Sequence, residues 1–429
     1  MLSIIIGLIL LMALAYLGWS IIWIAPLVSG IVALLSGMNI LDAYTGTYME
    51  GFVGFAKDYF PIFLFGAIFG KLMEDTGAAQ SVAYKISSVI GKKRAILGML
   101  LSAAILTYGG VSLFVVVFAV YPLAVAMFRE ANVSRKLIPS TFVLGAFTFT
   151  MTAIPGTPQI QNIIPINTFK TDTMAAPILG IVAGLIMAVG GYAYLKFRQK
   201  QLDSKDDKFT EPEGDNQVKE INEDELPNWI LSVIPLIAVV VTLNVFKDLS
   251  ILIALLIGII LIMLFNFKDY KDFIPAINGG ASGSVMATIN TSAAVGFGSV
   301  VTASPGFETV KELIFDIPLS PYFSEAFAVQ LLAMITGSAS GGMGIALEAL
   351  GEEYYNIAVD QGLSLEAFHR ITSVASGASI LPHNGALLTL FTVTGLTHKD
   401  SYKDVFVVGL LIPMVATIAI IFLAMMGIN

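Results

Sequence analysis

Thr107-Tyr108-Gly109-Gly110-Val111-Ser112 interrupts an apolar block running from 95 to 128. The arms on either side, 95–106 and 113–128, hold 12 and 16 residues. At 1.5 Å per residue they reach about 18 and 24 Å, short of a hydrocarbon core about 30 Å thick. A re-entrant helical hairpin fits that length better than two crossings. A second block, 325–353, has similar short arms around Gly337-Ser338-Ala339-Ser340-Gly341-Gly342-Met343-Gly344. Small residues there let the backbone turn tightly and approach a ligand.

Each hairpin precedes a long apolar segment that is broken in its middle. The first, 137–167, contains Ile154-Pro155-Gly156-Thr157-Pro158-Gln159-Ile160-Gln161-Asn162, and the second, 365–395, contains Leu381-Pro382-His383-Asn384-Gly385. Further apolar runs lie at 2–17, 20–37, 58–75, 174–195, 229–246, 250–266, 275–300 and 405–427. The same order of parts, three spans, a hairpin, a broken span and a final span, therefore stands on both sides of a charged linker at 196–228. The sequence predicts two repeats, 1–195 and 229–429.

Composition agrees with an all-α polytopic membrane protein. Of 429 residues 56% are hydrophobic and 13% charged, against about 25% charged in a soluble domain. That length has room for about ten to twelve crossings. Met1–Leu17 lacks the basic residues of a secretory signal and reads as the first transmembrane helix. Residues 196–226 hold 16 of the 54 charges, so the rest of the chain is nearly bare of fixed charge. The net charge of −8 argues against a nucleic-acid partner. With no cysteine, disulfides, thiolate metal sites and thiol chemistry are excluded.

Positive charge supplies an orientation. With both termini outside and the linker cytoplasmic, twelve Lys and Arg residues beyond the linker fall inside, and Lys57, Lys170, Lys247, Lys311 and Arg370 fall outside. That is the direction of the positive-inside rule, and it makes the two repeats inverted relative to one another. Trp19, Trp23 and Trp229 sit near span ends as interfacial anchors.

Non-helical backbone at membrane depth survives only where it lines a wet cavity or is buried in protein. Inverted repeats with discontinuous helices are a recurring build of secondary transporters, with half-helix N-termini facing anions. Thr157 before Pro158 suits an N-cap with proline at the first helical position, and Asn384 suits the cap of the second half-helix. Thr157, Gln161, Asn162, His383 and Asn384 would bind a small organic anion without a fixed charge. The alternative is a pair of proline kinks whose polar side chains satisfy freed carbonyls.

Ionisable residues inside spans are expensive and become functional candidates. Glu348, on the second arm of the second hairpin, and His383 are the candidates for ion coupling. His383 either carries a proton near physiological pH or is a neutral histidine bonded within the break. His369 and Arg370 lie near the outer start of their span, and Arg370 is either a substrate contact or a helix-end contact. His398, in Thr397-His398-Lys399-Asp400, reads as solvated. Gly66-Ala67-Ile68-Phe69-Gly70-Lys71 lacks phosphate-loop spacing and reads as helix packing. Carboxylate pairs such as Glu352-Glu353 fall at loop edges, and neither HExxH nor GxSxG occurs. No enzyme and no cofactor are expected.

At the broken segments the chain resembles the gluconate:proton symporter (GntP) family of the ion transporter superfamily. The residues that carry the likeness are Tyr108-Gly109-Gly110-Val111 with the arm through Tyr121-Pro122, Pro155-Gly156-Thr157-Pro158, and Leu381-Pro382-His383-Asn384-Gly385-Ala386 followed by Gly395-Leu396-Thr397-His398. The resemblance implies a proton-driven permease for gluconate, 3-hydroxybutyrate or a related small carboxylate in a bacterial inner membrane. It also implies a homodimer with a scaffold and a mobile transport domain moving as an elevator. Unlike gluconate-type members, this chain has no acidic residue at its first hairpin tip, and the sparse polar residues at the expected site match a short hydroxy-monocarboxylate better than a polyol acid. Tyr108, Gly109, Gly110, Ser338, Ser340, Gly341 and Gly342 at the tips are expected beside the substrate. Ser338, Ser340 and the tip carbonyls would equally suit sodium as the coupling cation, and an anion channel is the competing class.

Overall fold

The computed structural model describes residues 1–212, 222–246, 250–315 and 319–429. Lys219 with the rest of 213–221 in the expected linker, and Lys247, lie outside the described residues. Among those described there are helices and connecting turns but no strand.

The first half contains α1 (Leu2–Tyr16), α2 (Ile21–Leu35), α3 (Ile40–Asp75), α4 (Ala78–Ile90), α5 (Ala95–Tyr108) and α6 (Leu113–Glu130). It continues with α7 (138–152, interrupted at Thr148), α8 (Ile160–Phe169) and α9 (Pro177–Ser204). The second half contains α10 (Trp229–Val245), α11 (Ile251–Phe265), α12 (Tyr270–Ala303), α13 (Phe307–Phe315), α14 (Pro321–Thr336) and α15 (Ala339–Gln361). It ends with α16 (Leu365–Gly377), α17 (Gly385–Thr394) and α18 (His398–Met425). Among the described residues each half thus holds nine helical elements.

α1 lies along α2 and α10 along α11. α2 packs on α12, and in exchange α11 packs on α3. The most extensive contact joins α3 to α12, of 36 and 34 residues. At 1.5 Å per residue these helices measure about 54 and 51 Å, well beyond the apolar depth of a bilayer. Gly280 makes their approach possible, because a Cβ there would lie 2.7 Å from the Ile68 Cα.

Several boundaries differ from the expected ones, each for a local reason. Residues 40–57 join the expected span at 58–75 through a π-turn at Ala43–Tyr48, where the Tyr44 hydroxyl donates to the Pro26 carbonyl at 2.9 Å. α4 and α13 fall outside the apolar runs because each carries polar residues along one side. α9 runs to Ser204, inside the expected linker, and its Arg198 pairs with Asp404 of α18 at 2.5 Å. α15 continues past 353 to Gln361, so Glu352 and Glu353 lie within a helix, and Lys311 reaches Glu353 at 3.0 Å.

Five helical stretches among the described residues are long and apolar enough to cross a bilayer: Ile40–Asp75, Leu113–Glu130, Pro177–Ser204, Tyr270–Ala303 and His398–Met425. Six shorter apolar helices accompany them. Large exposed apolar side chains such as Leu2, Ile9, Ile181, Leu185, Val189, Leu264 and Ile274 cover their outer faces. This is a multi-pass integral membrane protein.

Candidate functional site

The first hairpin closes on the break in its own half. α5 ends at Tyr108, Gly110 takes a left-handed φ of +100°, and the Ser112 hydroxyl caps α6 by accepting from Val115 N at 3.4 Å. Across from this tip the chain leaves α7 at Thr152 and runs through turns at 153–156 and a non-helical stretch at 157–159 before α8. The Tyr108 hydroxyl donates to the Pro155 carbonyl at 3.0 Å. Gln159 Nε2 reaches back to the Thr107 carbonyl at 2.7 Å and the Val111 carbonyl at 3.2 Å. A side chain at Gly110 would put its Cβ 3.0 Å from the Pro158 Cγ, so this tip and break fit face to face.

These ties correct the expected cap at Thr157. α8 starts at Ile160 with Gln159 in the N-cap position, and Gln159 spends its amide on the hairpin tip rather than on its own helix. The chain is drawn away from helix at 157–159 because Gly156 is left-handed (φ +80°). Gly156 N also donates to the Thr173 carbonyl at 2.8 Å, and Asn162 Nδ2 holds the Thr157 carbonyl at 2.9 Å. Asn244 of α10 adds a bond to the Gly156 carbonyl at 2.8 Å.

In the second half the hairpin tip again meets its break. Gly337 is left-handed (φ +64°), and Ser338 caps α15 by accepting from Gly341 N at 3.1 Å. A Cβ at Gly337 would lie 2.7 Å from the His383 Cδ2, and His383 Nε2 sits 3.3 Å from the Ile335 carbonyl. Asn384 caps α17 as expected, its Oδ1 accepting from Leu387 N at 3.1 Å. His398 is not merely solvated: its Nε2 lies 2.8 Å from the Pro382 carbonyl. A cavity of about 540 Å³ opens between α1 and this break, lined by Met12, Ala13, Tyr16, Leu17, Leu381, Pro382 and His383.

The two clasps interlock. α8 packs against α15 and α16 of the other half, while α17 packs against α6 and α7. The helices entering the breaks also touch, for the Ser373 hydroxyl donates to the Thr152 carbonyl at 2.7 Å and Gly377 faces the Thr152 side chain.

The expected site residues divide by what their polar atoms already do. Asn162 is fully employed: it donates to the Thr157 and Thr173 carbonyls, and its Oδ1 accepts from Arg370 Nη1 at 2.8 Å. Gly109 and Gly342 make room for helices, since a Cβ would strike Leu236 at the first and the Ala333 backbone at the second. Ser340 Oγ lies 3.4 Å from Thr291 Oγ1 and 3.5 Å from Ser338 Oγ, a small hydroxyl group beside the second tip. Glu348 is exposed on α15 and accepts from Ser299 at 3.0 Å. By contrast Thr107 Oγ1, Thr157 Oγ1, Gln161 Oε1 and His383 Nδ1 are buried with no partner. Buried polar atoms ordinarily have one. Three of those four belong to the first clasp.

Three residues gain importance that their sequence positions did not signal. Gln159, read as part of the break, is the chief tie of the first clasp. Arg370 belongs to no outer loop; it is completely buried and donates to the Ala175 carbonyl, the Thr173 carbonyl and Asn162. Glu325, at the edge of the expected hairpin, is completely buried in α14 and accepts from the Thr372 hydroxyl of α16. The apolar run Ala326-Phe327-Ala328-Val329 beside it was the available signal. Among the described residues no cluster of His, Asp and Glu could hold a metal ion.

Residues 1–247 match the model of the GntP family permeases. The chain is 42% identical to the uncharacterized transporter YxjC of Bacillus subtilis (strain 168), with 94% of each chain covered. It is 21% identical to the high-affinity gluconate transporter of Escherichia coli (strain K12) over 92% of each chain. A gluconate permease of Pseudomonas aeruginosa is 26% identical over 37% of this chain and 34% of its own.

Proposed function

This chain belongs to the GntP family of permeases, and from that premise we propose that it is a proton-coupled symporter of a small hydroxy-monocarboxylate, such as 3-hydroxybutyrate or gluconate. Membership makes it a transporter and not an enzyme. The observation that carries the finer reading is the pair of interlocked clasps, with buried polar atoms left unpartnered on both. The carboxylate of the substrate sits at the start of α8, where the first-turn N–H groups lack a side-chain cap and Thr157 and Gln161 offer neutral polar atoms. His383 meets the hydroxyl end, and the second hairpin tip uncovers the site when it parts from its break. The two halves are inverted repeats, α1–α3 and α10–α12 form the scaffold of a homodimer, and the hairpins with α7–α9 and α16–α18 move as an elevator. The protein lies in a bacterial inner membrane with both termini outside and the linker cytoplasmic.

Nearly bare membrane helices favour a neutral site, since an anion held by helix ends and hydroxyls can also leave. A second reading, sodium in place of the proton, is favoured by the hydroxyls of Thr291, Thr336, Ser338 and Ser340 gathered at the second tip. Counterflow in proteoliposomes tests both. Labelled 3-hydroxybutyrate, lactate or gluconate should exchange with saturation and trans-stimulation, and a proton gradient should drive accumulation. Failure of all three compounds under proton and sodium gradients alike overturns the reading, and single-channel currents would replace it with a pore.

A further inference from the structure

Building on the symport reading, we propose that Glu325 carries the coupling proton, holding it while the second hairpin is closed on its break and exchanging it with water when α14 parts from α16. Glu325 is completely buried, Thr372 donates to its Oε1, and its Oε2 has no partner among the described residues. An unpaired charge in such a place is costly and a neutral acid is far less so. Protonation and the closeness of α14 to α16 are therefore linked.

The surroundings leave the carboxyl without a counter-charge. On α16, His369 and Arg370 turn to Thr171, Asn162, Thr173 and Ala175. From α15 comes Tyr354, whose hydroxyl donates to Ser324 at 3.2 Å, and on α14 the Tyr322 hydroxyl accepts from Ser364 N. Lys311 of α13 engages Glu308 and Glu353. α1 offers only Tyr16, which lies against His383, and Ile412–Met425 of α18 has no titratable side chain. Gln330 spans the same two helices, donating to the Ala378 carbonyl at the entry to the break at 3.3 Å. A change at Glu325 thus acts on the hairpin arm and the broken helix together. In each cycle the carboxyl takes one proton from water on one side and returns it on the other, leaving no net change in the protein.

The test uses full-length protein in proteoliposomes with labelled 3-hydroxybutyrate and gluconate. Glu325→Gln should retain counterflow exchange but lose proton-driven accumulation, and its exchange should no longer depend on pH. Infrared spectra of the wild type should contain a carboxylic-acid C=O band that Glu325→Gln lacks and Thr372→Val shifts. Accumulation by Glu325→Gln equal to wild type, or spectra in which no carboxylic-acid band is lost, overturns the proposal. If Glu325→Gln fails to fold, the Thr372→Val band decides: a shift supports the assignment and an unmoved band overturns it. A wild type that exchanges neither compound overturns the symport reading, while the infrared arm still settles whether Glu325 holds the proton.

Discussion

Both clasps bring a hairpin tip against a helix break, but they differ in how they are fastened. In the first, three side-chain bonds join tip to break, two from Gln159 and one from Tyr108, and Asn244 and Asn162 brace the break from behind. In the second, the tip itself meets the break through one longer approach, of His383 to the Ile335 carbonyl, while Gln330 holds the Ala378 carbonyl from farther down the arm, His398 braces the Pro382 carbonyl from behind, and Ser338 and Asn384 cap the helix starts. A tip bound to its break by several directed bonds moves with it, whereas one joined to it by a single longer contact separates at lower cost. The second hairpin is the natural gate, and the first is part of the wall.

The largest expected effect would come from cutting behind the wall. Arg370→Met leaves the Ala175 carbonyl without its donor and takes one donor each from the Thr173 carbonyl and Asn162, a loss of about 3 kcal/mol or more at about 1–3 kcal/mol for each buried group affected. Thermal melting in detergent should show it, and a melting temperature close to wild type would mean that these bonds do not hold the wall. Next comes Gln159→Ala, expected to cost about 1–3 kcal/mol and to lower transport with stability. Should His383→Ala destabilise the protein more than Gln159→Ala does, the assignment of wall and gate is reversed.

Smaller effects sharpen the contrast at single atoms. Asn384→Ala removes a helix cap and should cost about 1 kcal/mol while lowering transport. Thr157→Ala breaks no bond to its Oγ1, so melting should stay near wild type while the KM for substrate rises; an unchanged KM places the anion elsewhere. The smallest effect lies at the linker. The Arg129 guanidinium, which donates to Glu211 at 2.7 Å, holds that exposed carboxyl below the usual carboxylate range. Its contribution is present above the ordinary carboxylate pKa and fades as pH falls through the lowered one. The melting difference between wild type and Glu211→Gln should therefore be visible at neutral pH and close on acidification, and a difference that persists in acid would exclude the pair as its source.

Much of this plan was legible in the sequence because helix interruption has a compositional cost. Glycines at 109–110 and 341–342, and prolines at 155, 158 and 382, can be located without knowing what lies beside them. The order of hairpin and break was legible for the same reason. Asn384 was found because a cap acts within one turn. What remained hidden depends on partners far along the chain. Thr157 resembles a cap locally, but Thr173 and Asn162 hold its neighbourhood out of helix. Arg370 looks like a helix-end residue until the carbonyls of Thr173 and Ala175 arrive from almost two hundred positions away. Glu325 lay at the margin of an apolar block, where hydropathy cannot tell a wet edge from a buried face.

The exchange of α8 and α17 between the halves has a further consequence for how the protein comes into being. α8 emerges early in synthesis, yet the helices that cover it, α15 and α16, follow more than 150 residues later. Neither half can finish its own core, so a chain stopped after Ser204 would be a fragment with an unclosed interior rather than a smaller permease. Two halves made as separate polypeptides should recover function only when present in the same membrane at the same time.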